Sequence, residues 1–384
     1  MEEESSTLIR RRTSLPATTV MMVVLLLLLC CNCGVEVVVA AADESSPAPV
    51  GKGGSDHGSC PGGDGDGDGE GYRKQLWVFG DSYADTGNLG NLGRELTHAW
   101  YYPYGITFPR HPTGRFSDGR VLTDFVASAV GIATPVAYKL RRRGGHGGEV
   151  ASRGMNFAVG GSGVLDTGYF QRNISSQIDL FQKQLRGCGP TGVALVVVSG
   201  NDYSAVVDKN NGTSEAAIAY IPTVVRGLRE QLRRLRDEVG MKKVVVTNLH
   251  PMGCTPYFTR LLNYSGCDTL ANAGSDQHNA ALRSVLHDLD PANTTFLLLD
   301  LHTPFLNLIT AAADDKFPVR LRPCCETFTA DGHCGQEDDA GNKQYTVCDD
   351  PERHFYWDDV HPTQAAWAAV AQAFTPAIHR FLST

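Results

Sequence analysis

The stretch Leu76–Asn88 reads LWVFGDSYADTGN. An apolar run ends at Gly80, and Asp81 and Ser82 follow at once. A continuous rather than alternating apolar run marks a strand covered on both faces, as in a parallel sheet. In such sheets ligands bind beyond the carboxyl ends of the strands. The turn after this strand is expected to open a helix, where free N–H groups and the helix dipole favour negative charge. A serine there is a candidate nucleophile if a base lies near it. Taken alone, Gly-Asp-Ser is equally an ordinary capped turn.

The same pattern recurs along the chain. MNFAV (155–159), VALVVVS (193–199), KVVVTNL (243–249) and TFLLLDL (295–301) are apolar and mostly rich in strand-forming residues. Amphipathic stretches lie near 117–130, 175–186, 214–239 and 268–288, and a last helix follows Pro362. This alternation predicts an α/β fold, a three-layer α/β/α domain around a central parallel sheet. There is no internal repeat. The basic stretch RGLREQLRRLRDE (226–238) reads as a solvated helix face rather than a binding patch.

The candidate base lies near the far end of the chain, in FYWDDVHPTQAAW (355–367). Proline disfavours helical geometry at the preceding residue and suits a first helical position. His361 is therefore expected where the last helix begins, with Pro362 as its first residue. Asp358, three residues earlier, can curl back to accept from the ring N–H, fixing the tautomer and stabilising an imidazolium. The plainer reading of this segment is an acidic capping turn. Acyl transfer also needs donors for an oxyanion. NFAVGGSG ends a strand in Gly160-Gly161, where bare backbone can approach a ligand, and VVVSGNDY offers the Asn201 amide.

Composition sets the compartment and excludes some partners. The chain has 384 residues and a net charge of −8. Residues 43–71 carry seven acids against one lysine, whereas the body from Tyr72 onward has 30 basic and 31 acidic residues. No polyanion-binding surface is implied, so no nucleic-acid partner is expected. Residues 1–42, with Arg10–Arg12 ahead of VMMVVLLLLLCC and a small-residue end at Ala42, have the order of a secretory signal. An uncleaved signal anchor is the alternative, since the apolar stretch is long enough to span. Residues 43–71 read as a flexible Gly/Asp-rich linker in which DGDGDGEG imitates a calcium loop without its twelfth-position Glu. A single folded α/β domain is assigned to 72–384.

Eight cysteines follow the leader, an even number suited to disulfides in a secreted chain. Cys254 with Cys267, and pairs within Cys324–Cys348, are the local pairings expected. A zinc site is the competing reading of that second cluster. Sequons at Asn173, Asn211, Asn263 and Asn293 would be glycosylated only in the secretory pathway.

FGDSYADTGN, PTGRFSDGR, NFAVGGSG, SGNDY and WDDVHPT occur here in that order. Together they resemble the GDSL esterase/lipases of the SGNH-hydrolase superfamily, in its large plant branch, over essentially all of Leu76–Leu382. The resemblance implies a flavodoxin-like fold of about five parallel strands and serine ester hydrolysis without metal or organic cofactor. It implies Ser82 as nucleophile and backbone oxyanion donor, Gly161 and Asn201 as further donors, and His361 as base with Asp358 orienting it. The third motif departs from the family pattern, with Ser199 where Gly is usual, which puts the turn beneath Asn201 in question. Either Gly160 or Gly161 could turn its N–H inward, and Gly161 is favoured.

The substrate is less legible. Trp100, Tyr101, Tyr102 and Tyr104 form a loop of amphipathic rings that would suit sugar stacking if exposed, or pack inward if not. Some plant relatives with similar motifs deacetylate xylan, so an O-acetyl ester of cell-wall polysaccharide leads. Acyl lipids, cutin-like esters or small secondary-metabolite esters come next, and a non-catalytic glycan-binding glycoprotein is the contrasting class. An ester substrate is the partner implied, with no stable protein partner. The protein is expected to be secreted to the cell wall, or held in the Golgi lumen if the leader is an anchor.

Overall fold

The computed structural model describes residues 74–141, 152–168, 172–185, 189–209, 213–311 and 316–384. The expected leader (1–42), the linker (43–71) with its calcium-like stretch, Cys60, Cys188 and the sequon at Asn211 lie outside the described residues.

Five strands form the central sheet: β1 (Leu76–Phe79), β2 (Gly154–Asn156), β3 (Val193–Val196), β4 (Lys243–Thr247) and β5 (Phe296–Leu299). All pairings are parallel, in the order β2-β1-β3-β4-β5. The expected parallel α/β sheet of about five strands is what forms. Each strand is shorter than its apolar run. The run after β1 breaks because Gly80 takes φ +143°, and VALVVVS leaves the ladder after Val196. Apolar residues past those points stay buried, some still bonded to a neighbouring strand end, as Val197 N–H is to Phe79 O at 2.9 Å, but they leave the regular ladder, which composition cannot distinguish from strand.

The long helices among the described residues are α1 (Leu122–Val130), α2 (Ile174–Leu185), α3 (Asn201–Lys209), α4 (Ser214–Arg233), α6 (Thr269–Leu289), α7 (His302–Thr310) and α8 (Gln364–Leu382), with a single turn, α5 (Pro256–Thr259), among them. Alternation along β1 decides the layers. Leu76 and Val78 pack with Leu122, Val126, Phe305 and Trp367 on one face. Trp77 and Phe79 pack with Phe181, Leu228 and Leu282 on the other. Helices α3 and α7 are absent from the expected elements because each is short and follows directly on a strand-end loop. The expected helix near 117–130 starts only at Leu122, where Asp124 caps the Val121 N–H. Pro362 is not the first residue of the last helix: Thr363 caps α8, its hydroxyl accepting from Ala366 N–H at 3.1 Å.

A two-stranded hairpin, β6 (Cys325–Thr327) and β7 (Tyr345–Val347), sits apart from the main sheet. Disulfides Cys324–Cys348 and Cys325–Cys334 staple it, and Cys254–Cys267 closes a loop after β4. The cluster Cys324, Cys348 and His354 has the compactness of a metal site, but both sulfurs are bonded to each other and offer no thiolate. Among the remaining sequons Asn263 and Asn293 are exposed, while the half-buried Asn173 caps α2 through Ser176 N–H.

Gly80 marks where β1 gives way to the serine turn. Gln177, fully buried, grips it from both sides: Gly80 N–H donates to Oε1 at 2.7 Å and Nε2 donates to Gly80 O at 2.9 Å. A Cβ at Gly80 would overlap the Val197 carbonyl oxygen. Gly80→Ala is therefore expected to lower stability by about 1–3 kcal/mol in urea denaturation, from backbone strain and the lost approach of β1 to β3. A variant as stable as the parent would show that the turn relaxes freely.

Candidate active site

The sheet order reverses between β1 and β3, and at such a switch point the loops at the strands' carboxyl ends splay apart to leave a crevice. Ser82 follows β1 and Asn201 follows β3, so chain topology alone brings them to one place. Ser82 does not open a helix, contrary to expectation. It lies on one isolated helical turn, in which Ala84 and Asp85 N–H donate to Asp81 O at 3.0 and 2.9 Å before the chain bends away. No helix dipole acts on Ser82; two buried carboxylates build its turn instead.

Asp81, 1% exposed, accepts from Tyr83 N–H at 3.1 Å and from Ser199 N–H at 2.6 Å. Burial pushes its pKa up to about 6, against the pull of the Ser199 and Tyr83 hydrogen bonds. Ser199, the departure from the family motif, thus anchors β3's loop to the serine turn. Asp85, fully buried, accepts from Gly87, Asn88 and Leu89 N–H at 2.7, 2.6 and 3.0 Å, and from Gly160 N–H at 2.9 Å. Burial raises its pKa, with those four N–H groups opposing. Asn88 and Asn156 complete the lock, through Asn88 Nδ2 to Asn156 O and Asn156 Nδ2 to Ala84 O.

His361 reaches this turn across 279 positions of sequence: its Nε2 lies 2.8 Å from Ser82 Oγ. On the other side of the ring, Nδ1 is 2.8 Å from both Asp358 oxygens. The segment is a closed turn. Val360 and His361 N–H donate to Asp358 Oδ1 at 3.0 and 2.8 Å, and Trp357 N–H donates to His361 O at 2.7 Å. Burial alone would raise Asp358, but the facing imidazole and these donors hold its pKa at about 2. The hairpin supports the turn from behind, with Cys324 and Cys325 N–H donating to Tyr356 O and Trp357 O. Tyr83 holds it from the front, its hydroxyl donating to Val360 O at 2.8 Å and lying 3.2 Å from His250 Nε2.

The expected oxyanion residues lie beside the serine. Gly160 N–H is committed to Asp85, whereas Gly161, at φ +81°, has no acceptor for its N–H among the described residues. One Asn201 amide hydrogen goes to Ser162 O at 2.9 Å, leaving the second free to point elsewhere. Ser82, Gly161, Asn201 and His361 all line one cavity of about 670 Å³.

The aromatic loop behaves differently from a stacking platform. Tyr104 is 1% exposed and donates to Asp358 Oδ2 at 2.8 Å. Trp100 packs against Gly87 and Gly114, and of the four rings only Tyr102 is exposed. Tyr104 is the site residue that sequence reasoning missed. Its contact is with a residue 254 positions away, and no local signal announces that.

A serine, a histidine and a buried carboxylate joined in one hydrogen-bonded row have the arrangement of a serine hydrolase's catalytic group. Residues 76–374 match the family model for GDSL-like lipase/acylhydrolases, and the chain belongs to that family of carboxylic-ester hydrolases. The GDSL esterase/lipase At5g03610 of Arabidopsis thaliana is 40% identical over 309 residues, covering 77% of this chain and 84% of that protein. At3g09930 from the same plant is 36% identical over 310 residues, covering 77% and 86%. Axe2, an acetylxylan esterase from Geobacillus stearothermophilus, aligns with a TM-score of 0.39 and 15% identity over 80% of this chain and 95% of its own.

Tyr104 supplies a prediction independent of turnover. Asp358 has its pKa depressed below the usual carboxylate value, so its contribution is present above about pH 4 and is lost as pH falls through about 2. Tyr104→Phe deletes a hydrogen bond to a buried charge and should cost about 1.5–3 kcal/mol at pH 7. That deficit should narrow as the pH is lowered toward 2, read by urea denaturation at each pH. An equal deficit at every pH would mean the hydroxyl does not serve the carboxylate.

Proposed function

We propose that the protein is a serine ester hydrolase in which Ser82 is the nucleophile, His361 the general base and Asp358 the group that orients it. The observation that carries this reading is the unbroken hydrogen-bonded chain Ser82–His361–Asp358 at the wall of the cavity. His361 Nε2 takes the Ser82 proton as Oγ attacks the ester carbonyl. The developing oxyanion is met by Ser82 N–H, Gly161 N–H and the free Asn201 amide hydrogen. His361 then gives its proton to the departing alcohol, and water deprotonated by the same imidazole cleaves the acyl-enzyme. Asp358, ionised and buried, stabilises the imidazolium in both halves.

The acyl group is apolar and longer than acetyl. The cavity is lined by Ile218 and Ile221 of α4, Leu270 of α6, and Leu249 and Met252 after β4. Exposed apolar side chains also gather at its mouth: Leu96, Tyr257, Leu261 and Val360. Such a lining rewards burial of methylene groups, roughly 0.8 kcal/mol each, and has little to offer an acetyl group. The O-acetyl polysaccharide lead rested on resemblance to plant xylan deacetylases, and the aromatic loop adds no stacking platform for a sugar, since Tyr104 is buried and Trp100 is half-buried. A secretory location is the accompanying proposal, supported by the leader-like N-terminus and by disulfides, which persist in oxidising compartments.

Ser82→Ala and His361→Ala should each abolish nearly all hydrolysis and, for Ser82→Ala, labelling by a fluorophosphonate, while leaving the fold intact. Asn201→Ala should raise the barrier by about 2.7–4 kcal/mol, read as kcat. Full turnover by folded Ser82→Ala would end the proposal. Across p-nitrophenyl esters, kcat/KM should climb from acetate to octanoate; a profile highest at acetate would refute the acyl arm and leave the triad standing.

A further inference from the structure

The cavity has a second side with different chemistry. It is also walled by His98, which lies on the loop after β1, and by His333, on the loop beside the Cys325–Cys334 disulfide. The two imidazoles stack with centroids 5.0 Å apart at 29°. His98 packs edge-on to Phe116 at 5.4 Å, and Phe116 in turn lies 4.9 Å from the His361 ring. This pair therefore stands on the His361 side of Ser82, one ring removed from the base.

Both rings have unused hydrogen-bonding capacity. His333 Nε2 is buried without a partner, its nearest acid, Glu95, being 3.9 Å away. His98 has no side-chain hydrogen bond among the described residues. Buried polar atoms are nearly always paired, so an orphan aimed at a cavity wall points to a ligand. Burial lowers the pKa of both rings, that of His98 to about 4. Each is thus neutral near pH 7 and carries one donor and one acceptor. That complement fits hydroxyl groups, which also donate and accept. It does not fit a phosphate or carboxylate, which would meet two uncharged rings and the Glu95 carboxylate.

The two substituents of an ester carbonyl leave the carbon in different directions. With an apolar arm for the acyl chain, the histidine side is left for the alcohol, and the alcohol oxygen must lie near His361 to receive its proton. We infer that His98 and His333 form the subsite for the alcohol half of the ester, and that this alcohol carries hydroxyls near the ester oxygen, as glycerol or a sugar does. The inference rests on the serine-hydrolase reading above and adds the identity of the leaving group.

The test compares octanoyl esters of methanol, glycerol and glucose with the full-length protein. The wild type should prefer one polyol ester over the methyl ester in kcat/KM, and the preferred one tells glycerol from sugar. His98→Phe and His333→Phe keep a flat ring and remove the nitrogens. Each should lower the polyol-to-methyl ratio of kcat/KM by roughly tenfold, the loss expected when one neutral hydrogen bond to the alcohol is removed. A ratio cancels any general loss from misfolding. An active enzyme whose ratio is unchanged in both variants overturns the subsite alone. A wild type inert toward all three octanoyl esters overturns the subsite, and if it is also unlabelled by a fluorophosphonate the serine reading falls with it.

Discussion

One buried negative charge organises the candidate site. Asp358 is 6% exposed, and a carboxylate at that depth is tolerable only with its lone pairs filled. Two backbone N–H groups, the Tyr104 hydroxyl and the His361 ring do this. Each donor is in turn held by a different part of the chain. The hairpin β6–β7 backs the Tyr356–Trp357 segment, the cysteine bridges staple the hairpin, and Tyr83 pins Val360 from the sheet side. The orientation of the imidazole is thus a consequence of satisfying the acid. The same solution recurs at Asp81 and Asp85, where buried carboxylates fold the serine turn around themselves and tie it to the loops after β3 and β2.

This explains what could and could not be read from the sequence. The parallel sheet was legible because strands buried on both faces must be apolar throughout, and the loops at their ends stand out as Gly, Asn, Asp and Ser. Strand ends were not, because a run such as VALVVVS stays apolar while leaving the ladder to pass under Asn201. The helix expected at Ser82 fails for a related reason. Gly-Asp-Ser-Tyr satisfies the rules for a helix start, but the next acid, Asp85, collects N–H groups from Gly87 to Leu89 and turns the chain aside.

Long-range contacts were the larger blind spot. Gly160 N–H is captured by Asp85, 75 residues earlier, a contact with no local signature that bears on which of Gly160 and Gly161 has a free N–H. Tyr104 belonged to a loop whose rings could face either water or protein, and the answer lay in Trp357, Phe116 and Asp358. The disulfide pairings within the last cysteine cluster became clear only when the hairpin put Cys324 beside Cys348 and Cys325 within reach of Cys334.

The 279 positions between the serine and the histidine have a temporal meaning as well. A ribosome adding 5–20 residues per second needs roughly 15–60 s to travel from one to the other. Throughout that interval the emerging polypeptide carries a hydroxyl with no proton acceptor. In the proposed mechanism, hydrolytic competence comes only once the His361 segment has left the exit tunnel and docked. In that mechanism a biosynthetic intermediate halted before His361 would be harmless to any acylated compound it met, so the onset of activity waits on a segment made 279 positions after Ser82.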